Sequence, residues 1–153
     1  MIEINNLSSF PVDKKLFTGI AKKVLKGENR NREKVSLAFV GKKEMQKLNK
    51  KFRGKNKPTD VLAFGENSKF QIPNSKLNYL GEIVICPEVV KENGKKFGAD
   101  SKKEIIKVFV HGILHLLGYD HEKSLCRSQT GEAEKEAKKM EVKEQQFLSK
   151  IKI

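Results

Sequence analysis

Histidine occurs three times in this 153-residue chain, as His111, His115 and His121, all inside the stretch IIKVFVHGILHLLGYDH (residues 105–121). His111 and His115 stand at i and i+4 among Ile, Val, Leu and Phe, a spacing that on an α-helix puts both imidazoles on one face, one turn apart. Gly118 follows where a left-handed residue ends a helix and lets the chain double back, so that His121 is delivered to the same point from a turn. Three nitrogen ligands without an obvious fourth is the arrangement of a catalytic zinc, which keeps a position for water and lowers the pKa of that water to about 7. The chemistry this predicts is hydrolysis, with one zinc ion as cofactor.

Two other readings compete with it. Histidines on an apolar helix also serve as hydrogen-bonded core residues, although three imidazoles buried together without an ion leave several polar nitrogens to be satisfied. A closed structural zinc is the other, with Cys126, shortly after His121, completing a three-His, one-Cys set. Cys126→Ser separates the two zinc readings, because it removes metal from a closed site and spares an open one.

The spacing H-G-x-x-H-x-x-G-x-x-H parallels the metzincin protease motif H-E-x-x-H-x-x-G-x-x-H, with one decisive difference. The residue after the first histidine is the general-base Glu in those proteases, and here it is Gly112, which neither takes nor gives a proton. Gly112 argues against peptide hydrolysis by that route. With Gly112 and the ending Leu116-Leu117-Gly118-Tyr119-Asp120-His121, the string instead closely resembles the signature of the YbeY family of bacterial endoribonucleases and ribosomal-RNA maturation factors.

Two further segments carry the same resemblance. The family pattern L-N-x-x-[YF]-R-x-x-x-x-P-T-[DN]-V-L-[SA]-F is matched by Leu48, Asn49, Phe52, Arg53, Pro58, Thr59, Asp60, Val61, Leu62, Ala63 and Phe64. Leu80 to Cys86, LGEIVIC, is similar to the family's L-G-[DE]-I-x-I-[CS]. The resemblance runs from Lys34 to the C-terminus; the stretch from Glu122 to Thr130 departs from it by being longer and more basic. It implies one α+β domain across residues 1–153, with a small mixed four-stranded sheet, about five helices and a central metal-binding helix. It further implies a zinc ion on His111, His115 and His121, and cleavage of single-stranded RNA during ribosomal-RNA maturation, with the small ribosomal subunit or its proteins as further partners. Arg53 and His111 are the residues assigned to catalysis, Arg53 as the cation that stabilises charge accumulating on the phosphate. The general base is unassigned; Asp120 either orients an imidazole or caps the turn. The rival functions are a non-catalytic, zinc-stabilised ribosome assembly factor and another metal-dependent hydrolase.

Composition agrees with a nucleic-acid partner. The formal charge is +13, from 32 Lys and Arg against 19 Asp and Glu, which favours a polyanion and gives weaker support to a membrane surface. The only arginines are Arg30, Arg32, Arg53 and Arg127, so most of the excess is lysine. Cys86 and Cys126 are too few for a disulfide framework, the start MIEINNLSSF lacks a charged region followed by an apolar one, and no uninterrupted apolar run reaches about 18 residues. A cytoplasmic protein that does not cross a membrane is expected.

The elements that must position these residues follow from periodicity. Strands are predicted at residues 2–4, Val35–Val40, Val61–Phe64 and Leu80–Cys86, the last apolar enough to be central and covered on both faces. A first helix, capped by Asp13, carries Leu16, Phe17, Ile20, Val24 and Leu25 up to Gly27, and a second covers Lys42 to Phe52 with Met45, Leu48 and Phe52 inward. Gly65 to Asn78 reads as a surface loop, and Pro87 opens a helix reaching toward Gly98. Ser101-Lys-Lys-Glu104 has the form of a capping box and places the start of the histidine helix near Ser101. A last helix after Thr130 uses Ala133, Ala137, Met140, Phe147, Leu148 and Ile151 as its apolar stripe, with Met140 in the core.

Overall fold

Ile2 and Ile4, alternating with polar residues near the N-terminus, make the edge of a sheet that organises the whole chain. A computed structural model describes residues 2–65, 79–96, 100–119 and 131–151, with the side chains of 96 and 131–137 left aside. In chain order the elements are β1 (Ile2–Asn6), α1 (Lys14–Gly27), β2 (Lys34–Phe39), α2 (Lys42–Arg53), β3 (Val61–Gly65), β4 (Tyr79–Ile85), α3 (Pro87–Lys96), α4 (Ser101–Leu116) and α5 (Gly131–Lys150). The sheet order is β1-β2-β4-β3, with β1, β2 and β4 parallel and β3 antiparallel to β4. Among the described residues this is the mixed four-stranded sheet with five helices, in an α+β domain, that the sequence predicts. Among the described residues no helix is long and apolar enough to cross a membrane.

Register divides the sheet into two unlike faces. Rows such as Ile4, Leu37, Ile83 and Ala63 look toward α1, α4 and α5, where the main core forms. The alternate rows, with Ala38, Val84 and Leu62, meet Met45 and Leu48 of α2 on the opposite face. β4 is central as expected, and the apolar side chains Ile83, Val84 and Ile85 are buried. Gly65 belongs to β3 rather than to the loop that sequence suggests, since it pairs with Gly81; residues 66–78 lie outside the described residues.

Helix α4 is the core helix. Ile105, Ile106, Phe109, Val110, Ile113 and Leu114 are all buried, each worth about 1.5–3 kcal/mol relative to an exposed position. Phe17 of α1 makes edge contacts with both Phe109 of α4 and Phe39 of β2 at 5.3 Å between centroids, which locks α1 across the two elements. At Gly112 the helix comes so close to the sheet that an added Cβ would lie 3.1 Å from Ile83 Cγ2. The first turn departs from the predicted capping box: the N-cap is Asp100, whose side chain accepts from Lys102 N, and Ser101 is already helical. A carboxylate is the stronger acceptor for the orphan amides of a helix start.

Candidate metal centre

The chemistry-bearing end of α4 is built by its last two turns and the turn that stops it. His111 and His115 project from one side, with ring centroids 6.5 Å apart and planes within 14° of parallel. At about 2.0–2.1 Å per Zn–N bond, two imidazoles share a tetrahedral ion with centroids about 5 Å apart. A modest rotation of the side chains closes that difference, because both rings already lie on one face. The helix then ends in a Schellman motif. Gly118, at φ 104°, donates to the His115 carbonyl at 3.2 Å, and Tyr119 N donates to the Leu114 carbonyl at 3.1 Å. Only a residue tolerant of positive φ holds that geometry without strain, so Gly118 turns the chain back as expected.

The turn is tied down from outside the motif. The Tyr119 hydroxyl donates to Glu28 Oε2 at 2.8 Å, just past α1. Lys143 Nζ of α5 stands 3.1 Å from Glu28 Oε1, close enough for an ion pair though not aligned as a hydrogen bond. Burial, and then the bond to the Glu28 carboxylate, push the Tyr119 phenol above its ordinary pKa. The segment that leads to the third histidine therefore leaves from a fixed point. His121 itself, with Asp120, Cys126 and Thr130, lies outside the described residues.

The two histidines have different surroundings. The His111 side chain is 37% exposed, and its Nδ1 stands 3.4 Å from Oε2 of Glu144, a side chain only 12% exposed on α5. The Nδ1 of His115 is buried and has no hydrogen-bond partner among the described residues. A buried polar nitrogen left without a partner costs about 1–3 kcal/mol, so among the described residues this end of α4 is polar and unsatisfied. Paired imidazoles with one unsatisfied nitrogen fit a borderline-soft ion such as zinc. Among the described residues no three His, Cys, Asp or Glu side chains converge to hold an ion. Two of the three expected ligands are there, and the third lies beyond what is described.

The family model for Endoribonuclease YbeY matches residues 3–152. The chain belongs to this family. An endoribonuclease YbeY of Bdellovibrio bacteriovorus is 50% identical over 103 residues, which are 67% of this chain and 63% of that protein. The endoribonuclease YbeY of Sulfurihydrogenibium sp. is 36% identical over 111 residues, 72% of this chain and 71% of that one. The solution structure of TM1509 from Thermotoga maritima superposes with a TM-score of 0.57 at 32% identity, covering 94% of this chain and 89% of that one.

The second YbeY segment, around Arg53, is on the far face of the sheet. Arg53 is the exposed last residue of α2, which packs opposite α4, and the Phe52 ring meets Phe64 of β3 edge-on at 5.4 Å. Among the described contacts none joins Arg53 to His111 or His115. β3 is the sheet's edge strand, and α4 packs against it. The neighbours of Arg53 in the motif hold the connection in place. Asn49, buried, donates from Nδ2 to the Lys57 carbonyl at 2.8 Å, and Asp60 Oδ1 accepts from Val61 N at 2.8 Å. Cys86 is buried beneath this face, where desolvation raises its thiol pKa, so it serves packing rather than nucleophilic chemistry.

Sequence reasoning missed Glu144 and Glu28, and it named Asn49 only as a match to the family pattern, not as a buried donor. Glu144 and Asn49 did leave a signal. Glu144 falls between Met140 and Phe147 at helical spacing, a carboxylate inside an apolar stripe, and Asn49 sits likewise between Met45 and Phe52. Glu28 left none, since it follows a helix-ending glycine in a polar turn.

Proposed function

We propose that this protein is a zinc-dependent endoribonuclease of the cytoplasm that cleaves single-stranded RNA, with ribosomal RNA as its substrate during maturation. Membership of the endoribonuclease YbeY family carries the activity class, hydrolytic cleavage within RNA. The observation that supports the metal is His115, whose buried Nδ1 has no partner among the described residues and sits beside a near-parallel second imidazole one turn away.

One ion held by His111, His115 and His121 supplies, when bound, a Lewis acid for a phosphoryl oxygen and activation of a water. The rest is done by the chain itself. The apolar residues of α4 are buried, so the helix holds the two imidazoles on one face and only a modest side-chain rotation is left to binding. Gly112 supplies no base, and it could not be replaced by one, because that position is filled by Ile83. Arg53 neutralises charge on the phosphate, its planar fork spanning two oxygens, and exposed Lys55 and Lys57 extend the cationic surface along the RNA. A net charge of +13 draws RNA by counterion release, so affinity falls steeply with salt.

The test is the metal content of the purified protein together with cleavage of single-stranded RNA before and after chelation. About one zinc per chain, activity lost on chelation and activity restored by zinc support the proposal. Cleavage indifferent to chelator overturns the metal. Stoichiometric zinc without cleavage overturns the enzyme in favour of a zinc-stabilised assembly factor.

A further inference from the structure

Glu144 is the one charged side chain buried among the described residues, and the ionisable partner found for it among them is a histidine. Its helical neighbours in the stripe, Met140 and Phe147, are core residues. An isolated carboxylate in such a place is costly unless a donor meets it. The group that meets it is His111, whose Nδ1 lies 3.4 Å from Oε2 across the α4/α5 packing.

We infer that Glu144 is a positioning residue: its carboxylate accepts from Nδ1–H of His111, holds the ring in that tautomer, and so turns the Nε2 lone pair outward as the ligand atom. This rests on the metal site proposed above and adds a residue to it. The chemistry is that of carboxylate–histidine–metal arrangements, in which the second ring nitrogen is held by a carboxylate that fixes ring orientation and raises ligand basicity. A separation of 3.4 Å is at the long end for a hydrogen bond, and it shortens when an ion on Nε2 draws charge from the ring. The two imidazoles then play unequal parts. His111 is oriented by α5, whereas the Nδ1 of His115 has no such partner among the described residues.

The experiment uses the full chain in metal-free and zinc-loaded forms. Long-range proton–nitrogen NMR reads directly which ring nitrogen carries the proton in metal-free wild-type protein. The inference requires protonated Nδ1 on His111; protonated Nε2 overturns it without any variant being made. Glu144→Leu then fills the slot with an apolar side chain of similar size. Its fold and metal-free Tm should be kept or improved, while His111 loses its tautomer preference and zinc affinity, read by competition with a chromophoric chelator, falls about 10–100-fold. A merely structural role would make affinity follow Tm, and these two move apart. Wild-type affinity in Glu144→Leu with an unchanged tautomer overturns the inference. Failure of wild type itself to bind zinc would instead strike the function proposed above, and the metal-free tautomer would still decide the role of Glu144.

Discussion

The Tyr119 hydroxyl donates to Glu28 Oε2 at 2.8 Å and thereby joins the turn after α4 to the end of α1, 91 residues away in sequence. That one bond fixes where the chain leaves the histidine helix. Hydrogen bonds to charged groups are worth about 1.5–3 kcal/mol, so Tyr119→Phe should lower stability at pH 7 by about that amount and weaken zinc binding by displacing the segment that carries His121. The effect has a pH signature. The Tyr119 pKa is raised above 10.0 by burial and by Glu28, so the folded protein keeps the phenolic proton at pH values where the unfolded chain has released it. Its stability contribution is full below pH 10 and is lost as pH rises through the folded value. Urea unfolding at a series of alkaline pH values should show the gap between wild type and Tyr119→Phe closing above pH 10; a constant gap would sink the assignment. Tyr79, also raised by burial, is common to both proteins and cancels.

His115→Ala should abolish zinc binding and cleavage together. In the metal-free state the same change should cost little beyond packing, because it removes a buried nitrogen that has no partner among the described residues. With zinc, wild type gains stability that the variant cannot. Calorimetry with and without zinc checks this, and full metal occupancy in His115→Ala would defeat the proposed coordination.

Gly112 separates packing from catalysis. Its Cβ position is 3.1 Å from Ile83 Cγ2, and Ile83 is fully buried in the central strand with nowhere to retreat. Gly112→Ala should therefore lose about 1 kcal/mol, crowding outweighing the gain in helix propensity. Gly112→Glu, the protease-like residue, should lose more than about 3 kcal/mol and gain no peptidase activity, since its carboxylate would enter the apolar layer. A Gly112→Glu protein as stable as wild type would show that the helix stands further from the sheet than found here.

Arg53→Lys leaves the fold intact, because position 53 is exposed at the end of α2, and stability should change by less than about 0.5 kcal/mol. Cleavage should fall on the order of a hundredfold if the guanidinium clamps the scissile phosphate. Single-turnover cleavage at saturating RNA is the measurement. Wild-type rates would reduce Arg53 to bulk charge.

Glu82 of β4 lies in register with Glu3 and Ser36 across the sheet, and burial first, Glu3 second, raise its pKa above 4.5. Its charge is therefore held at a cost at neutral pH. The folded state binds the proton more tightly than the unfolded one, so the contribution is full below pH 4.5 and is lost as pH rises through the folded value. Glu82→Gln should raise Tm at pH 7, with the advantage vanishing below pH 4.5. A variant less stable than wild type at pH 7 would show that the carboxylate has a partner it needs.

Local chemistry was legible from the chain alone because it depends on backbone periodicity over a few residues. The i, i+4 histidines, the turn at Gly118, the Asp13 cap, the central apolar strand and Met140 in the core all follow from the 3.6-residue and two-residue repeats and from the φ that glycine tolerates. Even there, competing short-range acceptors decided the cap: α4 starts at Ser101 as expected, but Asp100 rather than Ser101 accepts from its first turn. Tertiary structure alone decided the antiparallel placement of β3 at the sheet edge, the position of α2 on the face away from α4, and the pairings of Glu144 with His111 and Glu28 with Tyr119. Those partners are 33 and 91 residues apart, and no local repeat encodes them. They exist because burying the faces of α1, α4 and α5 on one sheet brings their polar residues to the same layer, where each buried group must find a partner.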